Sequence, residues 1–249
     1  MTRPDTPSAA RAGAPPAAAP RPATGRMGVT IVVPARNEAP TLGMIIQKCL
    51  PHCDELVVVD GHSTDETPEI VRKYGVRRVL DNGKGKGDAV RVGAAAATQD
   101  IVVFIDADGS HDPDDIPRLV DPIRQGAADL VIGSRGKGGS DELHGDIGKL
   151  IRLVGSDLIL IGINWRWQST LTDSQNGFRA IRREVILQLG LRENITTIEQ
   201  EMTMKALRKG FVVDEIPAHE YARITGESTI KLEKVWLRYV YAFLRDLLF

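Results

Sequence analysis

Five short runs of β-branched residues recur through the first half of this chain, and their spacing leaves few folds open. They are VTIVVPA (29–35), ELVVVD (55–60), VRRVLD (76–81), IVVFID (101–106) and ADLVIG (128–133). Helical candidates lie between them at 40–50, 66–74, 87–97 and 113–125. Strands that are apolar throughout are buried on both faces, and the intervening helices supply the cover. The pattern predicts a mostly parallel sheet flanked by helices. In such sheets ligands bind beyond the carboxyl ends of the strands. The polar clusters PARNE, DGHSTDET, DNGKGKGD and DADGSHD all fall there.

Past residue 133 the alternation stops. GSRGKGGSDELHG reads as a long glycine-rich loop, and loops of that length are usually functional or mobile. Helices are expected near 146–163 and 198–209, and FVVDEIP (211–217) reads as one more strand. The last stretch, STIKLEKVWLRYVYAFLRDLLF, is a helix with apolar residues around most of its circumference, broken by Lys231, Glu233, Lys234, Arg238, Arg245 and Asp246. Those charges exclude a membrane span, which wants about 20 largely uncharged residues. Two readings stay open: a helix packed on the domain, or one lying in a membrane interface or subunit contact. At the other end, residues 1–26 carry six of the 14 prolines, a run of alanines and four arginines, with no apolar core. A disordered arm is expected there, without the apolar centre of a secretory signal. An organellar transit peptide is the alternative.

A net charge of −1 gives the whole chain no basic field, so duplex nucleic acid is not an expected partner. Cys49 and Cys53 bracket His52 in CLPHC, but no second ligand pair at metal spacing accompanies them. They read as small, partly buried residues of a protein in a reducing, cytoplasmic compartment.

The stretch IVVFIDADGSHDP (101–113) carries the chemistry. Alternate residues of an extended segment point the same way, so Asp106 and Asp108 are expected to converge at the strand end. Two bare carboxylates repel, and a divalent cation resolves the repulsion. Mg²⁺ or Mn²⁺ takes oxygen ligands and neutralises a diphosphate leaving group. The alternative is a solvated turn, since DADG is also good turn chemistry. DNGKGKGDAV (81–90) places glycines before a helix, but no Ser or Thr follows Gly-Lys and the spacing is wrong for a nucleotide-hydrolase loop. GHSTDET (61–67) offers a helix cap, Ser63 or Asp65, with ligand contacts as the alternative; capping alone is enough to explain it.

VVPARNE, VVVDGHSTDET, GKGDAVRVG, FIDADGSHDP, GSRG, DSQNGFRAIRREV and RITGES occur in this order over residues 29–228. Together they resemble the inverting family 2 glycosyltransferases, and most of all the dolichyl- and polyprenyl-phosphate mannose and glucose synthases. The resemblance implies the GT-A fold, a Rossmann-like, mostly parallel α/β sheet with a C-terminal acceptor-side subregion. The domain would span 27–228, and an amphipathic helix would occupy 229–249. It implies a GDP- or UDP-hexose donor, Mg²⁺ or Mn²⁺, and a polyprenyl-phosphate acceptor met at the cytoplasmic face of a membrane. Pro34, Asn37 and Glu38 match the first nucleotide-binding segment, Asp60 the acidic residue near the base, and Lys86 and Gly87 the segment beside the nucleotide. Asp106 and Asp108 match the metal and diphosphate motif. Ser110 falls where relatives often have a Gln ligand. Arg135 and Arg152 resemble arginines near the phosphates. Asp173, Gly177, Phe178 and Arg179 match a motif beside the sugar pocket, and Glu201 an acidic residue on the helix below it. Arg223 and Ser228 match a mobile loop that closes on the donor.

Several of these residues have plainer readings. Arg152 suits a solvated helix face, and Arg179, Arg182 and Arg183 form a basic cluster that reads mostly as surface. Glu201 suits the first turn of its helix. His219 lies where the lipid-phosphate synthases lack histidine, so it stays outside the expected site. A lipid-phosphate acceptor is already anionic and needs no strong base. A hydroxyl acceptor would need one, and Glu201 or Asp173 is the candidate. Gln175 and Asn176 replace the Thr and Ser of many mannose synthases, and Thr229 stands where a Lys usually follows Ser228, so mannose and glucose both stay open. Three functions remain: hexose transfer to a polyprenyl phosphate, the same chemistry on a soluble phosphorylated metabolite or secondary-metabolite hydroxyl, and a non-catalytic nucleotide-sugar-binding module.

Overall fold

The computed structural model describes residues 26–142, 147–224 and 232–248, without the side chains of 147–152 and 232–236. Apart from Arg26, the N-terminal arm lies outside the described residues, as does Ser228.

Seven strands form one sheet: β1 (Val29–Ala35), β2 (Glu55–Asp60), β3 (Arg77–Leu80), β4 (Ile101–Phe104), β5 (Leu130–Ser134), β6 (Arg179–Arg182) and β7 (Val213–Pro217). Their order is β3-β2-β1-β4-β6-β5-β7, and only β6 runs antiparallel to its neighbours. The in-line apolar runs divide residue by residue between two cores, as the period of a strand requires. Ile31, Val33, Val58, Ile101 and Val103 face α1 (Ala39–Cys49) and α4 (Ile116–Arg124). Val32, Val57, Val59, Val102 and Phe104 face α3 (Lys86–Ala96) and α8 (Ile198–Arg208). α2 (Thr67–Tyr74) covers the β2–β3 edge. Cys49 lies in the first core, and both cysteines are free thiols raised by burial, to about 12 and about 11.

The second half holds the departures. The glycine-rich segment after β5 contains a one-turn helix, α5 (Arg135–Gly138), and a bridge from Ser140 to Glu220. β6 was not expected at all: RAIR reads as a basic surface patch, yet Arg179 and Arg182 are only 1 % and 8 % exposed. Arg182 donates to the Ile123 carbonyl and pairs with Asp129, while Arg183, opening α7 (Arg183–Gln188), donates to the Ala97 carbonyl. These backbone and acidic partners explain how arginines occupy a central strand.

A third, smaller core joins α8 to α6 (Ile147–Trp167) and α9 (Leu232–Leu248), around Ile163, Met204, Trp167 and Phe243. A Cβ on Gly162 would lie 2.5 Å from the Phe243 ring, so glycine lets α6 and α9 approach closely. The other sides of these two helices remain apolar and open. α6 exposes Val154, Leu158, Ile161 and Trp165 at helical spacing, and α9 exposes Leu237, Val240, Tyr241, Leu244 and Leu248. Among the described residues no helix is long and apolar enough to cross a membrane.

Candidate active site

The carboxyl ends of β1, β2 and β4 and the starts of α1 and α3 meet at one cleft. After β1, Asn37 takes a left-handed conformation (φ 57°) and its side chain accepts the Thr64 amide, 2.8 Å away. The GHSTDET loop returns the support: Ser63 accepts from the Asn37 amide, Thr67 from Glu38 and Asp65 from Ala39. Asp65 also accepts the Thr67 amide, so these polar residues tie the starts of α1 and α2 together. Asp60 is wholly buried; Ser63 donates its amide to one carboxylate oxygen and Arg78 its guanidinium to the other. Burial would raise the Asp60 carboxyl, but those donors hold it below the ordinary range.

β4 ends at Phe104, so Asp106 and Asp108 stand in the turn beyond it rather than on an extended strand. They consequently take different partners. Asp106 receives Lys86 Nζ at 2.7 and 2.8 Å, and the same ammonium lies 3.2 Å from Glu199. Burial alone would lower the Lys86 pKa, but Asp106 and Glu199 hold it well above its ordinary value. Burial raises Asp106 in turn, and Lys86, with His111 and Arg223, more than reverses that. Asp108 accepts the Ser110 amide at 3.0 Å and lies 3.3 Å from Arg223 Nε. Pro34, Gly177, Arg179, Ile198 and Met202 complete a small pocket around Lys86, Asp106 and Glu199.

Two further groups set the charge of this cleft. Glu38 is pushed up to about 7, first by burial and then by the Asp108 charge, with Arg223 opposing and Asp106 adding. Arg179 is brought down to about 10 by burial, though Glu199 favours its charge, and it donates to the Asn176 and Glu199 carbonyls. Glu199 is itself raised by burial despite Lys86 and Arg179, and its Oε2 has no hydrogen-bond partner among the described residues.

A family model described as Glycosyl transferase family 2 matches residues 30–190. The chain belongs to that family. It is 33 % identical over 202 residues to an uncharacterised glycosyltransferase of Mycobacterium tuberculosis, covering 81 % of this chain and 89 % of the relative. It is also 33 % identical to a dolichol-phosphate mannosyltransferase of Pyrococcus furiosus, over 88 % of this chain but 64 % of the relative. A dolichyl-phosphate hexose transferase of Haloferax volcanii is 28 % identical over 81 % of this chain and 86 % of its own. Among solved structures, glucosyl-3-phosphoglycerate synthase of M. tuberculosis, with Mn²⁺, UDP and glucosyl-3-phosphoglycerate, superposes with a TM-score of 0.68. That likeness covers 88 % of this chain and 80 % of the other at 24 % identity, and it shows the GT-A fold.

Within this glycosyltransferase, several expected site residues are engaged elsewhere. Glu201 does not face the pocket: it flanks the Ile198/Met202 face of α8 on the side opposite Glu199. Two residues along a helix are about 200° apart, so both cannot line one cavity. The carboxylate that α8 brings to the pocket is Glu199, a residue the expected site omitted. Asp173 is clamped by Arg135, with contacts of 2.6 and 3.1 Å, and accepts the Gln175 and Asn176 amides. Burial would raise its carboxyl, but Arg135 leads the groups that hold it low, which makes it a poor proton acceptor. Arg135 also approaches Glu220 at 3.5 Å, so both charges near this guanidinium are protein carboxylates. The His219 ring contacts the Gly138 carbonyl and Asp141. His111 was also missed. It is buried and stacked on Phe178 with ring centres 5.1 Å apart, its Nδ1 has no partner among the described residues, and burial lowers its pKa despite Asp106.

Residues 221–224 lie across the DADGS turn. Tyr221 donates its amide to the Ser110 carbonyl and Ile224 its amide to that of Asp108, with Arg223 between them. The segment that follows, and the side chain of Arg152, lie outside the described residues.

Proposed function

We propose that this glycosyltransferase moves a hexose from a nucleoside-diphosphate sugar to a polyprenyl phosphate, with inversion, at a lipid surface. The supporting observation is the apolar face of α6 and α9, which stands beside the pocket. Ser156 of α6 donates to Gln175, two residues from Asp173, at 3.0 Å. Tyr239 of α9 feels the charges of Glu199 and Lys86. Exposed Leu158, Trp165, Tyr241 and Leu244 lie on the outward sides of the same two helices, roughly opposite Ser156 and Tyr239, where an apolar tail would rest while an anionic head reached the polar site. On α6 and α9, Arg238 and Arg245 are engaged by Glu193, Glu201 and Asp246, and the remaining charges, Lys149, Arg152, Arg166 and Lys234 against Asp157 and Glu233, still give a basic excess suited to anionic lipid in a chain of net charge −1. The names of two curated relatives point the same way.

In this reading residues 27–228 form the catalytic unit and the terminal helix its lipid-facing addition. Asn37, Glu38 and Asp60 would frame the nucleotide side, Lys86 and Gly87 would lie beside the diphosphate, and Arg223 would cover it; Ser228, expected with Arg223, lies outside the described residues. Glu199 and Arg179 face the sugar. Asp106 and Asp108 are oxygen donors of the kind Mg²⁺ or Mn²⁺ takes, although among the described residues no three such groups converge on one point. Such a cation would neutralise the diphosphate leaving group. Lys86 and Arg223 neutralise the same carboxylates and are the cations that would turn toward the donor phosphates. An acceptor phosphate is ionised near neutral pH, so the depressed Asp173 need not act as a base.

The second reading is a soluble phosphorylated acceptor. The fold's likeness to a synthase crystallised with glucosyl-3-phosphoglycerate favours it. One partition assay separates the two: Mn²⁺, labelled UDP- and GDP-hexoses and a membrane extract with its cytosol, compared for the native protein and a Leu158→Ser/Trp165→Ser double variant. Organic-phase product that falls at least tenfold in the variant is the expected result. Aqueous product alone, equal in both proteins, would refute the lipid reading.

A further inference from the structure

Glu201, which does not reach the pocket, is one of the most heavily bonded groups in the protein. Its carboxylate accepts the Arg192 amide at 2.9 and 3.0 Å and the Glu193 amide at 2.8 Å. Lys205 pairs with it at 2.7 Å and Arg245 of α9 at 3.5 Å. It thus fixes the turn that leads into α8. Glu193, on that turn, pairs with Arg245 at 2.8 Å and Arg238 at 3.1 Å, and accepts the Thr197 hydroxyl at 2.6 Å. Thr196 shares a hydrogen bond with Tyr239. Three side chains of α9 therefore grip one turn.

The opposite side of the same turn rests on the start of α3. The Asn194 carbonyl accepts the Gly87 amide at 2.9 Å, and Arg91 binds the Glu193 carbonyl and the Asn194 side chain. A Cβ at Gly87 would lie 2.5 Å from the Glu193 carbonyl oxygen, and one at Gly85 2.8 Å from that of Asn194. Contact this close leaves the turn no freedom to move without moving α3. Lys86, the residue between those glycines, neutralises Asp106 and Glu199.

We propose that α9 is a latch on the donor site, and that Arg245 and Glu201 are positioning residues acting through residues 192–197 on Lys86. The latch rests on the reading of the Lys86 cleft as the donor site. Its physical basis is a buried charge network whose members satisfy one another, so losing one partner frees the rest to rearrange. The gripping residues Arg238 and Arg245 stand seven apart on one side of α9, and the exposed Leu237, Tyr241, Leu244 and Leu248 stripe another. The helix can thus hold the turn while its apolar side meets something else.

The test uses the full chain, well below its unfolding temperature, with Arg245→Met, Arg245→Lys and Tyr239→Phe. Binding of UDP and of GDP with Mn²⁺ is measured by calorimetry, donor and acceptor KM by kinetics, and amide hydrogen exchange by mass spectrometry. In Arg245→Met, donor KM and the nucleotide Kd should rise about tenfold with acceptor KM unchanged. Exchange at residues 86–90 should quicken together with that at 192–197. Arg245→Lys should recover part of both effects, and Tyr239→Phe should give a smaller version if Arg245→Met does not fold. Faster exchange at 192–197 without any change at 86–90, or a folded Arg245→Met with native donor KM, would overturn the latch. If the native protein binds neither nucleotide, the donor reading fails instead, and coupled exchange between the two segments still decides whether the latch exists.

Discussion

Replacing Lys86 with Met tests the electrostatic centre of the cleft without removing much volume. Lys86 is 26 % exposed, Asp106 23 % and Glu199 4 %, so the three share a largely desolvated space. Without the ammonium, two carboxylates face each other, and breaking a pair this buried costs about 3–5 kcal/mol. The protein can lower that cost by binding a proton. Glu199 is already raised by burial, and losing Lys86 raises it and Asp106 further. A carboxyl whose folded pKa is raised contributes stability below its unfolded pKa and loses it as pH climbs through the folded one. The slope is about 1.4 kcal/mol per pH unit for each proton retained. Lys86→Met should therefore be destabilised by about 3–5 kcal/mol near pH 7.5 and by measurably less near pH 5.5, where proton uptake relieves the repulsion. Urea unfolding of the variant and the native protein at both pH values measures this directly. Adding Glu199→Gln should flatten the dependence. A penalty that stays constant with pH, or shrinks as pH rises, would refute the assignment of Lys86 as the counter-charge of this pair.

Two further outcomes follow from the same cleft. Asp108→Asn keeps an oxygen that can accept the Ser110 amide, so its unfolding midpoint should match the native protein while Mn²⁺-dependent donor cleavage falls about 10²–10³-fold; unchanged cleavage would remove Asp108 from the site. Glu38, raised to about 7, stabilises the fold in its protonated form, so the thermal midpoint should decline as pH rises through 7, and Glu38→Gln should lessen that decline in calorimetry.

The sheet was legible because its strands carry their message in one composition. β1, β2 and β4 are apolar on both faces, and nothing but a covered parallel sheet satisfies such runs. The ends of those strands then located the cleft, since DADG, PARNE and GKGKG each follow an element whose direction was already known. β6 failed on the same criterion. Its Arg179 and Arg182 read as surface because arginine is seldom buried, and what buries them is a set of carbonyls from residues 123, 176 and 199 that no local pattern brings together.

The same distinction explains the carboxylates. Glu199 and Glu201 are equivalent in composition and lie in one helical turn, and only the helix's angular period separates them. One flank of the Ile198/Met202 stripe opens on Lys86, the other on the α9 network, and α8 is buried all round, so hydrophobicity gives no direction. The deciding contact for Glu201 is Arg245, 44 residues away, together with two amides of the preceding turn. The polar groups at the strand ends follow local geometry, whereas each buried charge in the second half is defined by its partner. A residue of that second kind is assigned by asking which opposite charge it would leave unpaired if removed. By that criterion Glu199 belongs with the Lys86 cleft and Glu201 with the charged side of α9.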